Sequence, residues 1–500
     1  MARAGHSATA RAGRALGVLG ALLLTAGPPS AGALAAAREP VPAAVHVHSD
    51  LSTGDLPLVE LARRAAREGI GALFLAENYR LRIEYGLPPF RALTRVTFED
   101  RSVQPAGLAD YLTRVEQARR QVPEVLLVPG VEVLPHYRWS GSPLALSLTL
   151  HDTQKNLLVF GLDAAALGSL PVAGQRVRYG WQSVLDALPG LLVAAGLVVL
   201  GRKRLERKRL RRTVVVRRRR RWLTGSLLIG LGVLAIVRGW PFAEDRFPPW
   251  EDFGVAPHQA VIDHVVARGG AVAWSFPEAP DAGARRFGPV TVRWRTDPFP
   301  DDLLRTSGYT AFGGLYEQPT RVVEPGGVWD RVLAQYAACE RPRPAWALGE
   351  AGFHGPASGK RLGTVQTVFV VEERSERGLL DALARGRLYA LARTPEAALV
   401  LAEFRLTAGE ATAEAGDTVR VPPGTPVELR ATIDVSDGSR PLVRVSLVRN
   451  GQVAEAWAGR PPLAVSWRGT FDGRPLVLRL DARGQPPHRI LSGPIVVVAP

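Results

Sequence analysis

Two histidines, His46 and His48, close a short apolar run at 43–47. Side chains at i and i+2 of an extended strand share one face, so both imidazoles project together, within reach of one ion. The chemistry such a pair offers is ligation of a divalent transition metal through neutral ring nitrogens. Taken alone, the pair reads equally well as a chance doublet. Other reactive side chains stand more singly. Asp50 and Asp55 follow the histidines, and Asp55 is expected to cap the next helix. His264 falls within a helical run and is expected to be solvated. Cys339 is the one cysteine in 500 residues, which excludes an intramolecular disulfide or a Cys-rich zinc site; it reads as a small buried hydrophobe. No glycine-rich phosphate loop, Ser-His-Asp arrangement or dinucleotide fingerprint is apparent.

The elements that must position these residues alternate in type. A helical pattern over 56–68 (LPLVELARRAARE) is stopped by Gly69 and Gly71 and leads into a buried strand at 72–76 (ALFLA). Helix 108–120 leads to strand 125–133, and a strand at 156–160 follows. After a long interruption, helix 258–268 leads to strand 271–274, and helix 328–338 to strand 345–348. Such alternation predicts a mostly parallel sheet covered by helices, either a barrel or a doubly wound sheet, with its site past the strand C-termini. From residue 398 the texture changes to short stretches of alternating apolar and polar residues, such as VELRATIDV and LVLRLDARG. A β-sandwich is expected there.

With these elements in place, the order of motifs resembles the PHP family, the polymerase-and-histidinol-phosphatase metal-dependent hydrolases. His46-Val47-His48-Ser49, with Ser52 and Gly54 after it, is similar to the family's opening. Gly130-Val131-Glu132 is similar to its glycine-x-glutamate, and Ala351-Gly352-Phe353-His354-Gly355 to its late motif ending in a ligating histidine. The segment 379–390 (LLDALARGRLYA) resembles the part that closes these domains. The resemblance covers 43–160 and 255–395 and implies a distorted seven-stranded barrel with a site for up to three ions. It makes His46, His48, Glu132 and His354 the metal ligands, with Glu132 and His354 the residues nearest the chemistry. Several departures bear on that. Ala76-Glu77-Asn78 stands where the family has Thr-Asp-His, and Asn156 where it has a histidine. Ser275-Phe276-Pro277 replaces Ala-His-Pro, and Gly352 an aspartate. Phe276 and Gly352 offer a metal nothing, and an asparagine only a neutral oxygen. One divalent ion (zinc, manganese or iron) or none is therefore expected. His136 and His151 lie near Glu132 in sequence, but a surface or loop role is expected for both.

Charge and apolar runs supply the address. The formal charge is +16, yet residues 202–221 alone hold thirteen Arg or Lys against one Glu, leaving 50 basic against 46 acidic residues elsewhere. No broad basic face remains for a nucleic acid. Residues 1–35 have the three-part form of a secretory signal. Apolar runs at 187–201 and 222–237 flank the basic segment 202–221. They are expected to form a transmembrane hairpin with that segment as a cytoplasmic loop.

The expected organisation is a signal peptide (1–35), two halves of a PHP-like (β/α)7 barrel (36–186 and 239–397) interrupted by the transmembrane helical hairpin (187–238), and a β-sandwich (398–500). Both folded parts are expected on the extracytoplasmic side of a bacterial plasma membrane. Two functions stay open on the sequence. One is a membrane-anchored PHP-like hydrolase acting on a phosphoester or similar small molecule through a partly lost metal site. The other is an inactive ligand-binding or scaffold ectodomain whose sandwich meets a protein partner.

Overall fold

Uninterrupted apolar stretches such as Ala72–Leu75 and Ala271–Trp274 are buried at every position, as strands covered on both faces must be. Strand Glu39–Val47 runs parallel to Ala72–Leu75 on one side and to Trp346–Phe353 on the other. Ala72–Leu75 pairs with Leu126–Val128, and its short continuation Glu77–Asn78 pairs with Gly130–Val133. Gly130–Val133 next meets Leu157–Phe160, which runs antiparallel to it and to Ala271–Trp274. Parallel pairing through Ala311–Leu315 leads back to Trp346–Phe353, so the pairings close into a circuit. The C-terminal ends of its parallel strands share one rim with the N-terminal end of Leu157–Phe160. Around it, helix Leu58–Arg67 buries Leu58, Leu61, Ala62 and Ala65, the spacing of a single helical face.

The computed structural model describes residues 38–87, 90–210 and 213–500, and Arg38–Pro500 forms one compact unit. The expected signal segment, 1–35, lies outside the described residues.

Two helical spans, Trp181–Gly201 and Trp222–Gly239, interrupt the α/β part. Their 21 and 18 residues correspond to about 32 and 27 Å of helix, close to the hydrocarbon thickness of a bilayer. Only 11% and 22% of their most apolar windows are buried, so this is no core helix pair. Leu191, Leu197, Leu223, Leu227 and Val237 all face outward. The spans pack through glycine. A Cβ at Gly225 would lie 2.6 Å from Leu200, and one at Gly232 would lie 2.7 Å from the Val193 backbone, the close approach that small residues permit. The basic segment between the spans is not a plain loop. Lys203–Leu210 and Thr213–Arg220 pair as an antiparallel ribbon, to which the β-branched run Thr213-Val214-Val215-Val216 is suited.

The C-terminal region holds two sheets. Ala411–Glu414, Leu399–Ala408, Pro426–Val435 and Leu463–Thr470 form one. Val443–Arg449, Gln452–Gly459, Leu476–Arg483, Arg489–Ser492 and Ile495–Val498 belong to the other. Leu406, Leu429, Ile433, Leu447 and Leu480 fill the core. The second sheet runs on into the α/β part, because Leu388–Ala392 pairs with Arg489–Ser492. Below that junction Arg479, fully buried, makes two 2.7 Å hydrogen bonds to Asp330 and lies 4.7 Å over the Trp329 ring.

Two local expectations fail. Asp55 is not a helix cap; Pro57 precedes the helix, and Asp55 Oδ2 accepts from the Ala357 backbone at 3.1 Å. Cys339 is exposed, not buried: it follows the end of helix Val328–Ala337 with a positive φ of 61°, and the turn directs it to solvent.

Candidate metal centre

His46 sits on a bulge. Val45 pairs with Phe74 and Val47 with Leu75, so His46 drops out of the ladder and takes φ = 70°. A non-glycine residue pays for that conformation, on the order of 1–3 kcal/mol, and it persists here at the rim of the ring. The histidine rings do meet, through this bulge and not through plain alternation. His46 Nε2 and His48 Nε2 are 3.0 Å apart. Glu132, from the neighbouring Gly130–Val133, brings Oε1 to 3.5 Å from His46 and Oε2 to 3.5 Å from His48. The three side chains form a group whose donor atoms all lie within 4.8 Å of one another.

His354 is placed beside this group. Its ring lies face to face with His48, centroids 4.1 Å apart at 9°, and its Nδ1 is 3.1 Å from Thr53 Oγ1. Asn78 donates to the same Thr53 oxygen at 3.1 Å. Asn156 donates to Glu132 Oε1 at 2.8 Å and fixes that carboxylate, while its own Oδ1 is buried without a partner. Glu77 is fully buried and accepts from the Ser49 backbone at 2.8 Å and from the hydroxyls of Ser49 and Ser52; it holds the loop after His48. His136 and His151 take no part: His136 bonds the Glu251 carbonyl and His151 the Ser140 hydroxyl. His264 is half-buried against the Ala166 carbonyl.

Sequence reasoning missed Glu350. Its carboxylate is buried in Trp346–Phe353, with Oε1 2.7 Å from His46 Nδ1. It also accepts from the Ser275 hydroxyl at 2.6 Å and the Phe276 amide at 3.0 Å. The available signal was an acid inside an otherwise apolar strand, where no charge belongs without a partner.

The Phe276 and Gly352 departures explain each other. The Phe276 ring stacks on His46 at 5.2 Å, and a Cβ at Gly352 would lie 2.6 Å from it. Phe276 therefore fills the space into which a side chain at 352 would point.

The electrostatics follow from two acids converging on one imidazole. Burial pulls His46 down, but the Glu132 and Glu350 carboxylates outweigh it and raise its pKa to about 9. Burial raises Glu132, yet the two histidines and Asn156 bring it down to about 2. Burial lowers His48 and His354, so both are neutral. A proton on His46 thus occupies the cation position between two carboxylates.

The donor set fits a divalent transition ion. Bonds of about 2.0–2.1 Å in tetrahedral array place ligand atoms about 3.3 Å apart. Here the two histidine nitrogens are 3.0 Å apart, each is 3.5 Å from a different Glu132 oxygen, and one donor atom from each residue lies within 4.8 Å of the others. Glu350 on the remote nitrogen of His46 is the partner that sets a ligating tautomer.

No protein-family model matches the chain, and no curated protein does. Solved structures do resemble it. One is a two-domain protein of Bacteroides vulgatus containing a predicted PHP-like metal-dependent phosphoesterase, at 11% identity and TM-score 0.34, covering 89% of this chain and 90% of that one. A candidate metal-dependent phosphoesterase of Bifidobacterium adolescentis shares 15% identity at TM-score 0.28, over 64% and 90%. An amidohydrolase of Chromobacterium violaceum, solved with sulfate and no metal, shares 13% at 0.27, over 64% and 89%. At such identities and scores, any functional reading rests on the site itself.

Proposed function

We propose that the chain is a membrane-anchored, PHP-like hydrolase of phosphoesters that holds one divalent transition ion. The observation that carries this is the meeting of His46, His48 and Glu132, with Glu350 behind His46. Such an ion supplies Lewis-acid polarisation of a phosphoryl oxygen and lowers the pKa of water.

The protein's own groups do the rest. Glu350 holds the Nδ1 proton of His46 and leaves Nε2 free to ligate. Asn156 fixes Glu132 at the angle that serves both histidines. With Asn78 donating to Thr53, the Thr53 hydroxyl donates to His354 Nδ1, and the neutral His354 ring keeps its proton on Nε2. That N–H can donate a hydrogen bond to a leaving oxygen, whereas passing a proton to it would require the imidazolium form, which burial disfavours. Phe276 walls the site and keeps water from one side of His46.

The same wall favours a second reading, an ectodomain that binds but does not turn over, since Phe276 and Gly352 leave no room for a second ion. Metal analysis of the purified chain, with aryl phosphate hydrolysis before and after His46→Ala, separates the two. One ion per chain with turnover lost on substitution supports the hydrolase; no turnover supports the binding module.

The membrane anchor is part of this proposal. Strands from both flanks of the helical pair enter one circuit, so both flanks share one side of any bilayer the spans cross. The concentration of Arg and Lys over 202–221 favours the cytoplasm for the ribbon and the outer side for the folded parts. A reporter fused within 205–215 tests this, cytoplasmic signal being the expected result.

A further inference from the structure

The rim that carries the metal centre is also the rim to which the membrane spans are attached. The chain leaves the circuit at Phe160, on the opposite rim, but is back beside the site by residue 173. There the Ala173 amide bonds the Leu134 carbonyl at 3.3 Å, Arg80 donates to the Gly174 carbonyl at 2.8 Å, and Gln175 bonds the Tyr79 hydroxyl at 3.3 Å. Tyr79 itself is tied to Glu132 by a 2.8 Å backbone bond. Trp181 begins the first span six residues after Gln175, which is at most about 20 Å of chain. The second span returns the same way: the Trp139 amide, just past the Glu132 strand, bonds the Pro249 carbonyl at 2.6 Å.

The excursion between Asn78 and Val103 starts and ends at this rim and clasps the outer ends of both spans. Arg91 donates to Gln182 at 2.6 Å, and Arg95 and Arg238 donate to one another's carbonyls at 2.9 and 2.6 Å. This excursion exposes Leu87, Phe90, Val96 and Phe98, with Val96 71% accessible. Trp181 and Trp240, 74% and 71% accessible, stand at the same ends of the spans. Aromatic and aliphatic side chains around a span, with arginines between them, are what a bilayer interface accommodates. A cavity of about 160 Å³ lies between, lined by Glu84, Arg176 and Trp139 from the rim side and by Asp186, Gly239 and Trp250 from the span side.

We infer that the metal-bearing rim faces the outer leaflet, and that the substrate is a phosphoester carried by a membrane amphiphile. The collar of Leu87, Phe90 and Val96 seats the rim on the lipid. This rests on the hydrolase reading for its substrate, though not for its orientation. In the monoester case a water oxygen bonds to phosphorus, the bond from phosphorus to the lipid alcohol breaks, and the proton goes to that alcohol, giving inorganic phosphate.

Two measurements on the full chain in phosphatidylcholine–phosphatidylglycerol vesicles test it. In a Cys339→Ser background, a nitroxide on Val96→Cys is expected at headgroup depth, and one on Val453→Cys in the sandwich in water. Equal exposure of both to aqueous quencher would overturn the orientation. Hydrolysis of phosphatidic acid in the vesicles is then compared with that of a soluble aryl phosphate. Leu87→Glu with Val96→Glu should slow the vesicle-borne ester about tenfold and leave the soluble one within about twofold. Turnover of the soluble ester alone would sink the lipid substrate and spare the hydrolase. No turnover of either by the metal-loaded protein would sink the hydrolase, while the nitroxide still judges the orientation.

Discussion

His46 is held by two acids, and this sets how the site answers to pH. To ligate, its Nε2 must give up a proton that the ring retains to about pH 9. Apparent metal affinity should therefore climb about tenfold per pH unit from neutrality and level off near pH 9, as calorimetric titration across pH would show. Without metal the sign reverses. The raised pKa stabilises the fold fully below its ordinary value of 6.5, and that contribution, up to about 3 kcal/mol, is lost as pH rises through about 9. Chelated protein should melt progressively lower over that window. Glu350→Gln keeps the shape but removes one acid. It should weaken metal binding about 10–100-fold and move the levelling-off to lower pH, whereas a purely structural Glu350 would leave the pH profile in place. A second pair is also testable. Gly352→Asp alone drives a side chain into the Phe276 ring 2.6 Å away, at a cost of about 1–3 kcal/mol. Combined with Phe276→His, part of the cost should be recovered in a thermal-melt double-mutant cycle, because the smaller imidazole lacks the outermost ring atom that a Cβ at 352 would meet, while the strain of a side chain at φ = 53° remains.

Elements made of unbroken apolar residues could be read directly: Ala72–Leu75, Leu157–Phe160 and Ala271–Trp274 lie within two residues of their expected bounds. What stayed hidden depended on partners distant in the chain. Ala311–Leu315 (AFGGL) carries two glycines that hide its strand character, and one of them makes room for Glu350: a Cβ at Gly313 would fall 1.8 Å from Oε2. The four-stranded sheet joining Arg138–Ser142, Ser147–His151, Asp281–Phe287 and Val290–Thr296 draws on segments that look like loops in isolation. The histidine pair was legible as a pair, but its bulge is a property of three strands in register. In the helical spans, glycine position separates packing from mere composition. Gly225 and Gly232 face the partner helix, whereas a Cβ at Gly230 would meet nothing within 4 Å. Gly232→Ile should lower the melting temperature of the detergent-solubilised chain, at about 1–3 kcal/mol, and Gly230→Ile should not.

Across the whole molecule, the sandwich behaves as an extension of the α/β circuit. A composition change at residue 398 reads as a domain boundary, yet Tyr389 pairs with Ser492 and Leu391 with Ile490 across it. Arg479 adds an ion pair to Asp330 with both partners buried. Neither feature could be seen locally, since an arginine in LVLRLDAR looks like the polar half of an alternating strand until helix Val328–Ala337 covers it. Buried pairs punish one-sided loss. Arg479→Met leaves the Asp330 carboxylate desolvated and unpaired, at about 3–5 kcal/mol, whereas Arg479→Met with Asp330→Leu should recover most of that. The readout that distinguishes one cooperative body from two tethered ones is calorimetry on the full chain. A shared sheet and a shared ion pair should make the circuit and the sandwich melt in a single transition, and Arg479→Met should shift all of it. If the single substitution moved only a sandwich transition and left metal binding at His46 and His48 untouched through it, the two parts would be independent. The sheet continuity through Leu388–Ala392 would then carry no energetic coupling.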